Sequence, residues 1–121
     1  MREQTIHPTI YAGLRKQKID VDLIEKLVSE RFGIGVYSIR NLRNRDNSLI
    51  EAKYVCYYFL YNHLHQTKTK IGKTYKRNHA SIISALRRLE DWKDTDSAFN
   101  AKIQEVEKKL RFYQGLTIRE N

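Results

Sequence analysis

The 121 residues suit one domain with a single modest core rather than two independently folded ones. Lys and Arg number 23 against 14 Asp and Glu, and this formal charge of +9 favours a polyanionic partner. The one cysteine, Cys56, excludes an intramolecular disulfide and a cysteine-cluster zinc site, and no apolar run approaches the roughly 18 residues that span a bilayer, so a soluble protein of a reducing cytoplasm is expected.

Five glycines, one proline and long runs of apolar residues at three- and four-residue spacing predict an all-α fold, a multi-helix bundle. Residues 1–19 read as an N-terminal arm or a short docking helix carrying Ile10, Tyr11 and Leu14. Residues 20–113 read as the folded domain and 114–121 as a tail. The stretch "DLIEKLVSERF" sets Leu23, Ile24, Leu27, Val28 and Phe32 along one stripe, with Asp22 and Glu25 as a capping pair and Gly33 as the stop. A short helical turn follows from Val36 to Leu42, and "RNRDNS" has the composition of a loop. Ser48 and Glu51 fit a capping box that opens a long helix, with Leu49, Ala52, Val55, Cys56 and Phe59 at helical spacing. Tyr54, Tyr57, Tyr58 and Tyr61 surround that helix, and as aromatics they fit packing between neighbours better than stacking on bases.

Thr67 caps the next predicted helix, whose inward residues are Ile71 and Tyr75; another helix begins near Asn78 after a short turn. Two helices so joined make a helix-turn-helix. The second buries Ile82, Ala85, Leu86, Leu89 and Trp92, while its other faces carry Arg77, Ala80, Ser81, Ser84, Arg87 and Arg88. Small residues there let a backbone approach a surface closely, with cations at the margins. A last amphipathic segment with Phe99, Ile103, Val106, Leu110 and Tyr113 folds back on the body.

The charge is unevenly spread. Lys68 to Arg88 holds seven basic residues and no acidic one, whereas Leu89 to Leu110 holds six acidic residues against four lysines. A merely solvated face mixes signs, so this concentration on the helix-turn-helix points to nucleic acid. Arg40, Arg43 and Arg45 form a second cluster ahead of the long helix, either as solvated loop residues or as minor-groove and phosphate contacts.

From about Leu23 to Leu110 the chain resembles the C-terminal DNA-binding domain of the bacterial chromosomal replication initiator DnaA, a Trp-repressor-like fold. The resemblance rests on "LIEKLVSERFGIGVYSIRNLRNR", on "EAKYVCYYFLYNHL", on Ile71-Gly72, and on "RNHASIISALRRLE", which is similar to the family's Arg-Asp-His-Thr-Thr signature. It implies that Arg77, Asn78, His79, Ala80 and Ser81 meet base edges in the major groove of double-stranded DNA. By the same match Arg45, with Arg43 beside it, enters the adjacent minor groove, and Lys53, Lys73 and Lys76 contact phosphate. The chain departs from the family pattern at several points, one of them Lys68 in place of a usual apolar residue. Asn78 replaces Asp, which turns an acceptor of cytosine N4 into a group able to pair bidentately with adenine N6 and N7. Ala80 and Ser81 replace Thr-Thr, and the turn before Arg77 is a residue short, lacking a glycine.

Local readings stand beside these. Asn78 caps a helix whether or not it meets a base. His79 is either a surface residue or a contact to a base or thymine methyl. Arg87 and Arg88 either favour a helix C-terminal dipole or bind phosphate. The sequence shows no phosphate-cradling G-x-x-x-x-G-K-[ST] loop, and His63, His65 and Cys56 make no convincing catalytic or metal set, so no enzyme activity, cofactor, metal, small-molecule substrate or membrane is expected. The expected function is sequence-specific DNA binding in replication control or transcriptional regulation, in a bacterial, phage or mobile-element nucleoid. The rivals are a protein-binding adaptor and a non-specific nucleic-acid binder, RNA included.

Overall fold

The computed structural model describes residues 19–43 and 46–119, with side chains through 115. Among them it contains six helices and no strand: α1 (Val21–Phe32), α2 (Val36–Asn41), α3 (Asn47–Asn62), α4 (Lys68–Tyr75), α5 (His79–Thr95) and α6 (Ser97–Arg119). The fold is all-α, as its apolar periodicity predicts. The proposed N-terminal arm and Arg45 lie outside the described residues.

Helix α1 is capped two residues earlier than expected. Asp20, not Asp22, is the cap, its Oδ1 accepting the Leu23 N–H at 2.9 Å. Glu25 takes no part in the cap and is fully buried instead. At the other end Gly33 adopts φ +69°, and its N–H reaches Ser29 O at 2.9 Å, the left-handed closure expected there. The capping box at Ser48 is likewise replaced: Asp46 caps α3 by accepting the Leu49 N–H at 2.9 Å. Both corrections have one cause. Where Asp or Ser stand two residues apart, each fits a cap, and the residue whose backbone turns extended just before the first apolar contact takes the position.

Helix α3 is the central strut, packing against α1, α2, α4 and α5. Leu49, Ala52, Val55, Cys56 and Phe59 are buried, joined by Tyr57 and Leu60. Its tyrosines knit it to neighbours: Tyr54 stacks on Trp92 with centroids 5.4 Å apart, and Tyr57 meets Tyr75 at 5.1 Å. Tyr61 differs, being exposed beneath the Lys68 ammonium. Asp96 ends α5 and caps α6 through the Phe99 N–H at 3.0 Å, which folds α6 back onto α1 and α5. Phe99, Ile103, Val106 and Leu110 are all buried there, and the helix runs beyond Tyr113 to Arg119. Arg31 pairs with Glu105 across the seam between α1 and α6.

Candidate nucleic-acid interface

Thr67 caps α4 through the Lys70 N–H at 3.1 Å, and Asn78 caps α5, both as read from the sequence. The two helices are joined by Lys76, Arg77 and Asn78 alone. The chain reverses in this space because Lys76 adopts the left-handed conformation, φ +58° and ψ +46°. Its N–H turns back to the α4 carbonyls, and the Arg77 N–H reaches Gly72 O at 2.7 Å. A lysine thus occupies a backbone state that usually goes to glycine, which accounts for a turn without one.

That substitution has a cost and a use. Lys76→Gly is expected to raise stability by up to about 1 kcal/mol by relieving the left-handed strain, less the extra entropy glycine loses on folding. The same change removes an exposed cation, so affinity for DNA should fall, and the slope of log K against log salt should shrink by about 0.9. Denaturant melts and salt-titrated binding together check that the two effects run in opposite directions.

Along α5, Ile82, Ala85 and Leu89 face the core, with Leu86 and Trp92 half-buried at its edge. Asn78, His79, Ala80, Ser84, Arg87 and Arg88 are exposed, and Arg77 and Ser81 are half-buried. A concavity of ≈ 300 Å³ opens beside this face, walled by Arg77, Asn78, Ala80, Ser81, Ser84 and Arg88, with Tyr54 and Tyr57 of α3 behind. The two tyrosines, which the sequence favours as packing residues over base-stacking ones, are wall residues here. Burial pushes the Tyr57 phenol up to about 12, while the Arg77 guanidinium and its hydrogen bond pull the other way. Arg77 and the Tyr57 phenol thus share the wall of the concavity. Asn78 Oδ1 accepts the Ser81 N–H at 2.8 Å, so the cap leaves the side chain at the surface with its oxygen already engaged.

A second cleft, ≈ 180 Å³, lies between the end of α2 and the turn. It brings Arg43 of the loop set beside Lys76 and Arg77 of the turn, residues 33 and 34 positions apart in sequence. Arg40 belongs to neither the loop nor the solvated set. It sits in α2 and grips Glu25 with both arms, Nε and Nη2 each 2.8 Å from a carboxylate oxygen. The Tyr75 hydroxyl donates to the same carboxylate at 2.7 Å. One buried acid thereby ties α1 to α2 and to the last residue of α4. The hydrogen bond to Glu25 raises the Arg40 pKa, and burial raises that of Tyr75.

Lys53 stands apart from the other expected phosphate contacts. Only 5% of it is exposed, and its ammonium donates to Leu42 O, pinning the end of α2 to α3. Burial, then the charge of Arg77, lowers its pKa. Its partner in the structure is a backbone carbonyl, and it lines the cleft between α2 and the turn. Lys73 is exposed on α4. Arg87 and Arg88 are not near a helix end, because α5 runs on to Thr95; the dipole reading therefore fails for both.

The helix-turn-helix family of the bacterial dnaA protein matches residues 21–89, from the start of α1 to Leu89 in α5. The chain belongs to that family. Chromosomal replication initiator proteins DnaA are among its relatives: that of Wolbachia sp. subsp. Brugia malayi is 29% identical over 96 residues, covering 78% of this chain and 21% of the relative. The DnaA of Mycoplasma pneumoniae is 30% identical over 88 residues, covering 73% of this chain and 20% of the relative. The chain spans about a fifth of the length of these initiators, and the family match takes in α4, the turn, α5 as far as Leu89, and the Glu25 network.

Proposed function

We propose that this domain binds double-stranded DNA sequence-specifically, with α5 in the major groove and the segment after α2 over the neighbouring minor groove, in the control of replication. The observation that carries the reading is the turn. It sets the exposed, small-residue face of α5 beside Arg77 and Arg88, and Arg77 in turn beside Lys76 and Arg43, in a chain that belongs to the DnaA helix-turn-helix family. Arg77, Asn78, His79, Ala80 and Ser81 form the base-reading set, with Arg45 reaching the minor groove. Arg43, Lys73, Lys76, Arg87 and Arg88 hold phosphates, and Lys53 supports them from the cleft floor.

These two groups act differently. Phosphate contacts release counterions and supply affinity on any duplex, whereas base-edge contacts discriminate among sequences. His79→Ala is therefore expected to weaken binding to a preferred duplex by about 1–3 kcal/mol and to leave binding to a scrambled duplex nearly unchanged. Competition between the two duplexes measures this directly. Equal losses on both would remove base reading by His79, and tighter binding to RNA of the same sequence at equal salt would favour an RNA-binding role.

A further inference from the structure

The concavity beside α5 is unusual in its polarity. Arg77 and Arg88 are obligatory donors, Ser81 and Ser84 carry hydroxyls, and no carboxylate lines it. Asn78 is the one wall residue whose side chain carries its acceptor and its donors on two different atoms, and the cap decides which atom faces out. The group it meets is the Ser81 N–H, a donor, so the atom turned into the first turn of α5 is the amide oxygen, at 2.8 Å. The carboxamide is planar, and its NH2 then lies on the side away from that bond, on an exposed residue.

We propose that Asn78 is a donor-only reader that selects an acceptor edge, guanine O6 or N7 first and thymine O4 second, and discriminates against cytosine at one position of the site. The inference rests on the reading of α5 as the base-contacting helix. In the major groove guanine presents two acceptors, cytosine presents the N4 amine, and adenine presents an acceptor beside an amine. A bidentate adenine contact needs the amide oxygen to accept from N6 with its second lone pair while the first holds the Ser81 N–H, and that cap bond aims the oxygen at the backbone of α5. Two donors facing each other, Asn78 Nδ2 and cytosine N4, leave both unpaired on desolvation. The Arg77 guanidinium at the same wall favours the same guanine edge.

The test uses the 121-residue chain in three forms, wild type, Asn78→Asp and Asn78→Ser, in selections from a randomised duplex library, followed by affinity measurements on the four base pairs at the position that responds. Asn, Asp and Ser cap helices about equally well, so thermal melts of the three should agree closely. Only the outward group changes: an amine, a carboxylate oxygen, or no side-chain atom long enough to reach a base. The wild type is expected to prefer guanine over cytosine by about fivefold or more. Asn78→Asp should invert the preference at the same position, accepting from cytosine N4, and Asn78→Ser should flatten it while preferences elsewhere persist. Selection of adenine by the wild type, or identical preferences in the wild type and Asn78→Asp, would overturn the proposal and leave the interface reading intact. If none of the three proteins selects any sequence, the interface reading falls and the proposal with it.

Discussion

Glu25→Ala is expected to lower the free energy of unfolding by about 3–5 kcal/mol, the largest single loss available outside the apolar core. The carboxylate is fully buried and accepts from Arg40 Nε, Arg40 Nη2 and the Tyr75 hydroxyl at 2.7 to 2.8 Å. Removing it strands a guanidinium and a buried phenol whose partners water cannot fully replace. The side chain of Arg40 is 38% exposed, so it regains some hydration, which places the loss toward the lower end of the range. The double variant Glu25→Leu with Arg40→Leu is expected to recover much of the loss, because the desolvation cost of the pair disappears with it. Urea melts followed by far-ultraviolet circular dichroism give both numbers. A single-variant loss below about 1 kcal/mol would mean that the network is not the tie it looks to be.

Gly72→Ala sets two principles against each other, and the sign of the result decides between them. Helix propensity alone favours alanine by about 1 kcal/mol inside α4. The structure opposes it: a Cβ on residue 72 would lie 2.4 Å from Arg77 O, a backbone atom that no rotamer change can move aside. Gly72 O also accepts the N–H groups of Lys76 and Arg77, so the collision falls on the bonds that close the turn. We expect a net destabilisation of about 1–3 kcal/mol, the usual cost of overpacking. DNA affinity should fall as well at a temperature where the variant is folded, because the displaced residues lead directly into Asn78 and α5. A rise in the denaturation midpoint would show that the turn yields more easily than its hydrogen bonds suggest.

The outcome of these two variants bears on how far a sequence of this kind can be read. The 3.6-residue period places Ile82, Ala85 and Leu89 in the core, and likewise Phe99, Ile103, Val106 and Leu110, because burial of one helix stripe is a local pattern. Thr67 and Asn78 are readable caps for the same reason: each is a side chain acting on a backbone N–H three residues ahead. Local pattern fails where several candidates satisfy it, as when Asp46 takes the cap from Ser48 and Asp20 takes it from Asp22. It is silent where the partner is remote. Glu25 finds Arg40 15 residues on and Tyr75 50 residues on, and nothing near Glu25 marks it as buried. Lys53 is a further instance, a lysine at helical spacing whose burial depends on where Leu42 ends α2.

For the interface, the residues were readable and their states were not. The cations and the small-residue face of α5 follow from composition and spacing. That Lys76 carries the left-handed turn, that Arg40 lines the cleft already paired with Glu25, and that the Asn78 oxygen is engaged by the cap all depend on backbone geometry. These three states change what the surface offers to DNA. They pair one expected cation with a carboxylate, place another at the turn, and give the proposed reading wall a donor character.

The most direct test of the central claim is fluorescence anisotropy of the wild-type protein on a duplex carrying an initiator-type box and on a scrambled duplex of equal composition, at two salt concentrations. The account predicts a preference of about tenfold or more, roughly 1.4 kcal/mol, that persists at the higher salt while both affinities fall. Equal binding to the two duplexes, lost together as salt rises, would contradict specific recognition of that box and reduce the surface to a non-specific polyanion site.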